Sequence, residues 1–319
     1  MEIGSFLPLA FASGKEYYRA AAGVARLNTG RAAIWHAFRV TGCETLWLPY
    51  YQCDTVREFL HRKGCALRFY HINDRFEPTD LTPAAQDAVL LVNYYGVFSA
   101  QRMAALAAQY AHPIIDNCQA FFAQPFDHAL HVYSARKFVG VPDGAYVVGP
   151  GAEQFCASYP QGCSSDTAGF LLMRIEYGCE GKSYAARMRN EERIDAEDAM
   201  RMSVLTRTIL DGTDYELIRT KRQANFDIAA RRFRDVNRLD PTAFYGADCV
   251  PMVYPFVAED DGLLDRLLAN KHFQGHWWSY LLEELPPDCF EYYLSRYIIP
   301  VTIDQRYGET EIEFIRSLI

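Results

Sequence analysis

Between Thr45 and Gly149 the chain alternates short apolar runs with segments of helical spacing, a rhythm that few folds accept. Thr45 to Tyr51 reads as a strand, Asp54 to Lys63 as a helix with Val56, Phe59 and Leu60 on one face, and Ala66 to Ile72 as the next strand. After a loop carrying Pro78 and Pro83, Ala88 to Asn93 is another apolar run, and the alanine-rich Ala100 to Tyr110 predicts a helix leading into Pro113 to Asp116. Ala129 to Tyr133 and Gly144 to Gly149 complete the set. Repeated strand–helix units predict an α/β fold with a mainly parallel sheet, whose right-handed crossovers bring the strand carboxyl ends to one edge. Open sheets of this kind bind ligands at that edge.

At 319 residues, half of them hydrophobic, the chain suffices for one large domain and a smaller one. A net charge of −8 and a pI near 5.5 argue against general affinity for nucleic acid, and neither a basic run nor zinc-ligand spacing is present. The nine cysteines are odd in number, scattered and never arranged as Cys-x-x-Cys, which reads as reduced thiols. Met1-Glu2-Ile3-Gly4-Ser5 lacks a basic n-region, and Phe6 to Ala12 is too short to cross a membrane. A cytoplasmic address is expected.

The residues with chemistry fall at strand ends. Asp116 directly follows the buried run Ile114-Ile115, and Lys137, in Tyr133-Ser134-Ala135-Arg136-Lys137-Phe138, follows the next run and precedes Gly140, Pro142 and Gly144. Alone, each has a bland explanation: a strand-end aspartate caps a turn, and a loop lysine is a solvated charge. Together they can do more. A carboxylate that keeps a pyridine nitrogen protonated and an amine that forms an imine are the minimum equipment for pyridoxal phosphate (PLP). Upstream, Asn28-Thr29-Gly30-Arg31 predicts a capped helix starting near Gly30, whose free N–H groups and positive dipole end suit a phosphate, with Arg31 as an added donor. An ordinary capped core helix is the alternative there. Tyr50, Tyr51, Asn93 and Tyr94 are expected around the same cleft.

Beyond residue 150 the pattern is mixed, with helical pieces at Ala168 to Tyr177 and Ala185 to Glu192. Ser203 to Phe233 reads as helical with a break at Asp211-Gly212, its second part a basic, solvated linker. Val250 to Val257, Gly275 to Tyr280 and Ile298 to Ile303 read as strands, and Gly262 to Asn270 and Glu309 to Ile319 as helices. The expected division is a large domain with an amino-terminal arm over 1–205, then a linker helix and small α+β domain over 206–319.

The order Asn28-Thr29-Gly30-Arg31-Ala32-Ala33, Leu48-Pro49-Tyr50-Tyr51, Ile114-Ile115-Asp116-Asn117-Cys118-Gln119-Ala120 and Arg136-Lys137-Phe138 with Asp143-Gly144 resembles the DegT/DnrJ/EryC1/StrS aminotransferase family. The likeness covers roughly residues 25 to 150, and continues more weakly through Arg201-Met202-Ser203, Arg222-Gln223-Ala224-Asn225 and Ile298 to Ile319. It implies a fold type I, PLP-dependent homodimer that moves an amino group from an amino acid donor to a keto acceptor, by family default a nucleotide-linked keto sugar. It also implies roles. Lys137 would carry the cofactor as an imine and shuttle the proton, Asp116 would pair with the pyridinium nitrogen, and Gln119 would reach the ring oxygen. Thr29 and Gly30 would present N–H groups to the phosphate, Ser134 would add a hydroxyl, and stacking on the ring would come from Tyr50, Tyr51 or Tyr94, or be absent. The chain departs from the family at Cys53, where many relatives place the stacking aromatic, at Asn93, where histidine is common, and at Ala199, where an asparagine reaching the neighbouring subunit is expected. Three rivals stay open: a PLP enzyme of another reaction type such as dehydration, a degenerate homologue that binds or scaffolds, and a cysteine nucleophile at Cys118. Relatives that dehydrate sugars tend to lack the lysine, so Lys137 favours amino transfer.

Overall fold

The apolar runs pair into one sheet. A computed structural model describes residues 6–19, 21 and 23–319; Met1 to Ser5, read above for targeting, lie outside them. In chain order the first strands and helices are β1 (Val24–Leu27), α1 (Gly30–Thr41), β2 (Thr45–Pro49), α2 (Asp54–Arg62), β3 (Ala66–Ile72), β4 (Pro78–Thr79), β5 (Ala88–Val92), α3 (Ala100–Ala107), β6 (His112–Asn117), β7 (Leu130–Ser134) and β8 (Ala145–Val148). They form an eight-stranded sheet in the order β1-β8-β7-β6-β5-β2-β3-β4. The five strands from β7 to β3 are parallel; β8 and β4 run against them at the flanks, and β1, paired antiparallel to β8, runs with them again. Every residue of β5, β7 and β8 is buried, which is why these strands read as unbroken apolar runs.

Strand alternation divides the core into layers. Leu46, Leu48, Leu90, Ile114 and Val132 face α1 and α2, whereas Trp47, Val89, Leu91 and Ile115 face the carboxyl-terminal elements. Those are α4 (Gly169–Tyr177), α5 (Lys182–Ala196), α6 (Val204–Asp211), α7 (Tyr215–Phe233), β9 (Val253–Val257), α8 (Leu263–Ala269), α9 (Leu281–Glu284), α10 (Phe290–Tyr297), β10 (Ile298–Thr302) and α11 (Glu309–Ser317). Of these, α7, the antiparallel pair β9–β10 and α11 supply Phe226, Phe233, Phe256, Ile299 and Ile315 to the second layer.

Two expectations need correction. The segment expected as a strand from Gly275 to Tyr280 is a loop: Trp278 takes a left-handed φ of 57°, and the aromatic residues that suggested a strand pack individually. Trp277 stacks on Tyr95 at 5.4 Å between centroids, and Trp278 meets Tyr51 edge-on at 4.3 Å. Nor is α7 a solvated linker. Ile218, Arg222, Asn225, Phe226, Ala229 and Phe233 form a buried stripe at helical spacing, and Lys221, Arg231 and Arg232 share the outer face with Glu216, Leu217 and Asp227. The strand β1, the short β4 and the helix α10 were not anticipated. No helix among the described residues is long and apolar enough to cross a membrane.

Candidate active site at the carboxyl edge of the sheet

Asp116 and Lys137 come from neighbouring parallel strands. β6 and β7 pair with Asp116 opposite Val132 and Asn117 opposite Tyr133, so both strands end at the same edge. Asp116 is only 4 % exposed. Its Oδ1 accepts the Cys118 N–H at 2.9 Å, closing the turn after β6, and its Oδ2 accepts Gln52 Nε2 at 3.0 Å. Each oxygen keeps a free lone pair, so the carboxylate is fixed in plane without being saturated. Gln52 is itself held, by the Cys53 N–H on its Oε1 at 2.7 Å and by the Tyr280 hydroxyl on its carbonyl at 2.8 Å.

After Ser134 the chain makes a 3-10 turn through Ala135, Arg136 and Lys137. The Lys137 side chain is exposed, and its amine meets no acceptor among the described residues. Its backbone is tightly held instead. Arg222, buried in α7, donates to the Lys137 carbonyl at 3.4 Å and to the Met252 carbonyl at 2.7 Å, and its guanidinium lies 4.5 Å over the Phe138 ring. Arg222 Nε donates to Gln305 Oε1 at 3.1 Å, while Gln305 Nε2 donates to the Phe138 carbonyl at 2.9 Å. Burial pulls the Arg222 guanidinium down to about 10, still cationic at neutral pH. Gly144 closes the turn from behind, accepting from Ala135 N and donating to the Asn28 carbonyl. Its φ of 121° and the Thr206 methyl, 2.9 Å from where a Cβ would stand, require glycine there.

The third component is the amino end of α1. The Thr29 hydroxyl accepts from Ala32 N at 3.2 Å, leaving Gly30 and Arg31 as the first two helical residues, whose N–H groups have no acceptor within the helix. Gly30 rests on the end of β6 and the start of the lysine turn: a Cβ on it would lie 2.9 Å from Cys118 Sγ and 3.9 Å from Ser134 Cβ. The Ser134 side chain is buried, and its hydroxyl makes no hydrogen bond among the described residues. Burial and the neighbouring Asp116 carboxylate push the Cys118 thiol well up, only partly offset by Lys137. A thiol held neutral in this way is the opposite of an activated nucleophile.

The remaining sequence candidates are spread. Arg31 turns to α5, its Nη2 2.7 Å from Asp195 Oδ1, while its Nε is buried without a hydrogen-bond partner. Gln119 Oε1 accepts the Tyr95 N–H at 2.6 Å, so its amide nitrogen is the end left to donate. Tyr51 is fully buried, its hydroxyl 2.9 Å from that of Tyr95, and its ring belongs to the core rather than to the crevice surface. Asn93 is also structural, its amide bonded to Asn117 and to the Phe98 backbone. Sequence reasoning missed Gln52 and Gln305 and gave Arg222 no role at the site. Gln52 carries no signal beyond its place after β2, and Arg222 and Gln305 act on backbone carbonyls 85 and 167 residues away.

A carboxylate, an amine unpaired among the described residues and the amino end of α1, with the Gly30 and Arg31 N–H groups left over by its Thr29 cap, thus lie at one edge. This donor set fits a phosphorylated pyridine aldehyde: Gly30, Arg31 and Ser134 for the phosphate, Asp116 for the ring nitrogen, Lys137 for the aldehyde.

No protein-family model and no curated protein matches the sequence. Solved structures do. A DegT DnrJ EryC1 StrS aminotransferase from Brucella abortus is 15% identical, with 94% of this chain and 86% of that one covered at a TM-score of 0.62. A sugar aminotransferase from Micromonospora echinospora is 14% identical, with 92% and 86% covered at a TM-score of 0.57. The E. coli GDP-4-keto-6-deoxy-D-mannose-3-dehydratase with bound hydrated PLP is 13% identical, with 93% and 87% covered at a TM-score of 0.59. These likenesses show the fold: the chain is built as the DegT/DnrJ/EryC1/StrS aminotransferases are, on a mostly parallel α/β sheet.

Proposed function

We propose that this protein is a PLP-dependent aminotransferase that moves an amino group from an amino acid to a keto sugar. The observation that carries the reading is the convergence of Asp116, Lys137 and the α1 amino end on one sheet edge. Bound PLP would supply a reactive aldehyde and a ring able to take up the charge that develops at the substrate carbon.

The chain's own residues do the rest. Asp116 places a negative charge at the ring nitrogen, and its bonds to Cys118 N and Gln52 keep it oriented there. Gly30 and Arg31 N–H groups, with the Ser134 hydroxyl, bind the phosphate at the positive end of α1. Lys137 Nζ, in no ion pair among the described residues, holds and returns the proton, while Arg222 and Gln305 fix the backbone from which it swings. Tyr280, in the loop with Trp277 and Trp278, holds the Gln52 backbone by donating to its carbonyl. A sugar acceptor is supported by the structural neighbours, which include sugar-modifying enzymes. A second copy of the chain is part of the same reading: Phe6 and Leu7, 90 and 91 % exposed, and Ile175, 81 % exposed, are apolar surface that a homodimer would cover.

One observation favours a second reading, a homologue that binds without turnover. Cys53 replaces the stacking aromatic, and Tyr51 is locked in the core. The test is to load the protein with PLP and add single amino acids. Loss of the yellow colour with a donor, and its return with nucleotide-linked keto sugars as an amino sugar forms, supports amino transfer. A deoxygenated sugar product means dehydration, and bound PLP indifferent to every donor means the non-catalytic homologue.

A further inference from the structure

At the carboxyl end of β3, His71, Cys289 and Glu291 meet where this strand packs against the start of α10. Cys289 is the N-cap of α10 and Glu291 its second residue. One ligand-capable atom from each of the three lies within 4.8 Å of the others. Glu291 is 1 % exposed; its Oε1 accepts the Ile72 N–H at 2.7 Å and lies 3.2 Å from His71 Nδ1. Its Oε2 and the Cys289 sulfur have no hydrogen-bond partner among the described residues. The Tyr50 ring, 4.5 Å from the imidazole between centroids, braces His71.

We propose that His71, Cys289 and Glu291 bind a divalent transition-metal ion of the zinc class, joining the main sheet to α10. Imidazole, thiolate and carboxylate are the donor types that zinc accepts, and three protein ligands leave a fourth position for water. Charge favours the same ion. A dication with one thiolate and one carboxylate is neutral overall, which suits a partly buried site. Tetrahedral zinc sets its ligands about 3.5 Å apart. His71 Nδ1 and Glu291 Oε1, 3.2 Å apart, are near that spacing, and the three ligand atoms lie within 4.8 Å of one another. The site escapes sequence reading because its partners lie 220 residues apart and Cys289-x-Glu291 is no zinc spacing. It is independent of the cofactor reading.

Cobalt(II) titration of the metal-free full chain tests this. The expected result is one equivalent bound, with a thiolate-to-cobalt absorption band. Cys289→Ser should remove the band while leaving the fold intact, because serine is a favoured N-cap. His71→Ala should weaken uptake more than about 10-fold. Zinc should raise the thermal midpoint of the wild-type chain and leave that of Cys289→Ser unchanged. Absence of stoichiometric uptake, a band that survives Cys289→Ser, or uptake indifferent to His71→Ala would each overturn the proposal.

Discussion

Asp116 shows how much a single side chain is asked to do. It closes the turn after β6 through Cys118 N, holds Gln52, and offers its remaining lone pairs to the crevice. Asp116→Asn keeps at most one of the two bonds in place, because an amide NH2 would point at either the Cys118 N–H or the Gln52 NH2. The expected cost is about 1–3 kcal/mol of unfolding free energy, read by urea denaturation, together with weakened PLP binding; equal stability and equal affinity would remove the carboxylate from both roles. Gly30 is the second such residue. Gly30→Ala puts a methyl 2.9 Å from Cys118 Sγ and should cost about 1–3 kcal/mol. Adding Cys118→Ala should restore most of it, and a double-mutant cycle with no coupling between the two positions would show that the contact is not what constrains Gly30.

Elements explain why some of this was legible in the sequence and some not. β5, β7 and β8 are buried on both faces, so their composition announces them, and the same pattern places Asp116 and Lys137 at strand ends. β1 is only four residues of alternating burial, too short for its period to show. The tryptophan loop misled because bulky aromatic residues favour strands in general, whereas here tertiary contacts to Tyr51 and Tyr95 outweigh that preference. The grip on the lysine turn was hidden for another reason: side chains that bond to backbone carbonyls leave no partner residue type to recognise. That grip is testable. Arg222→Met keeps much of the volume but strips donors from the Met252 and Lys137 carbonyls and from Gln305, and should destabilise the chain by more than about 2 kcal/mol. In PLP-loaded protein it should also shift the pH at which the colour of the Lys137 adduct changes; a purely structural Arg222 would lower stability and leave that pH where it was.

At the scale of the whole molecule, acid should loosen the fold before its carboxylates titrate. His131 is fully buried against Phe126, and burial lowers it from 6.5 to about 4; burial also lowers His36 and His272. Each binds protons more readily in the unfolded chain. Stability is therefore full above about pH 6.5 and falls as pH drops toward about 4, by at most about 3 kcal/mol for His131. His131→Gln should flatten that part of a stability-against-pH curve, and an unchanged slope would exclude His131 as its source. The central claim is that one sheet edge, built from β6, β7 and the start of α1, holds PLP through Lys137. Its most direct measurement is borohydride reduction of the PLP-loaded protein followed by peptide mapping. A single reduced adduct on Lys137, absent in Lys137→Ala, is the predicted result. A folded protein that gives no adduct in excess PLP, or carries the adduct on another lysine, would contradict it.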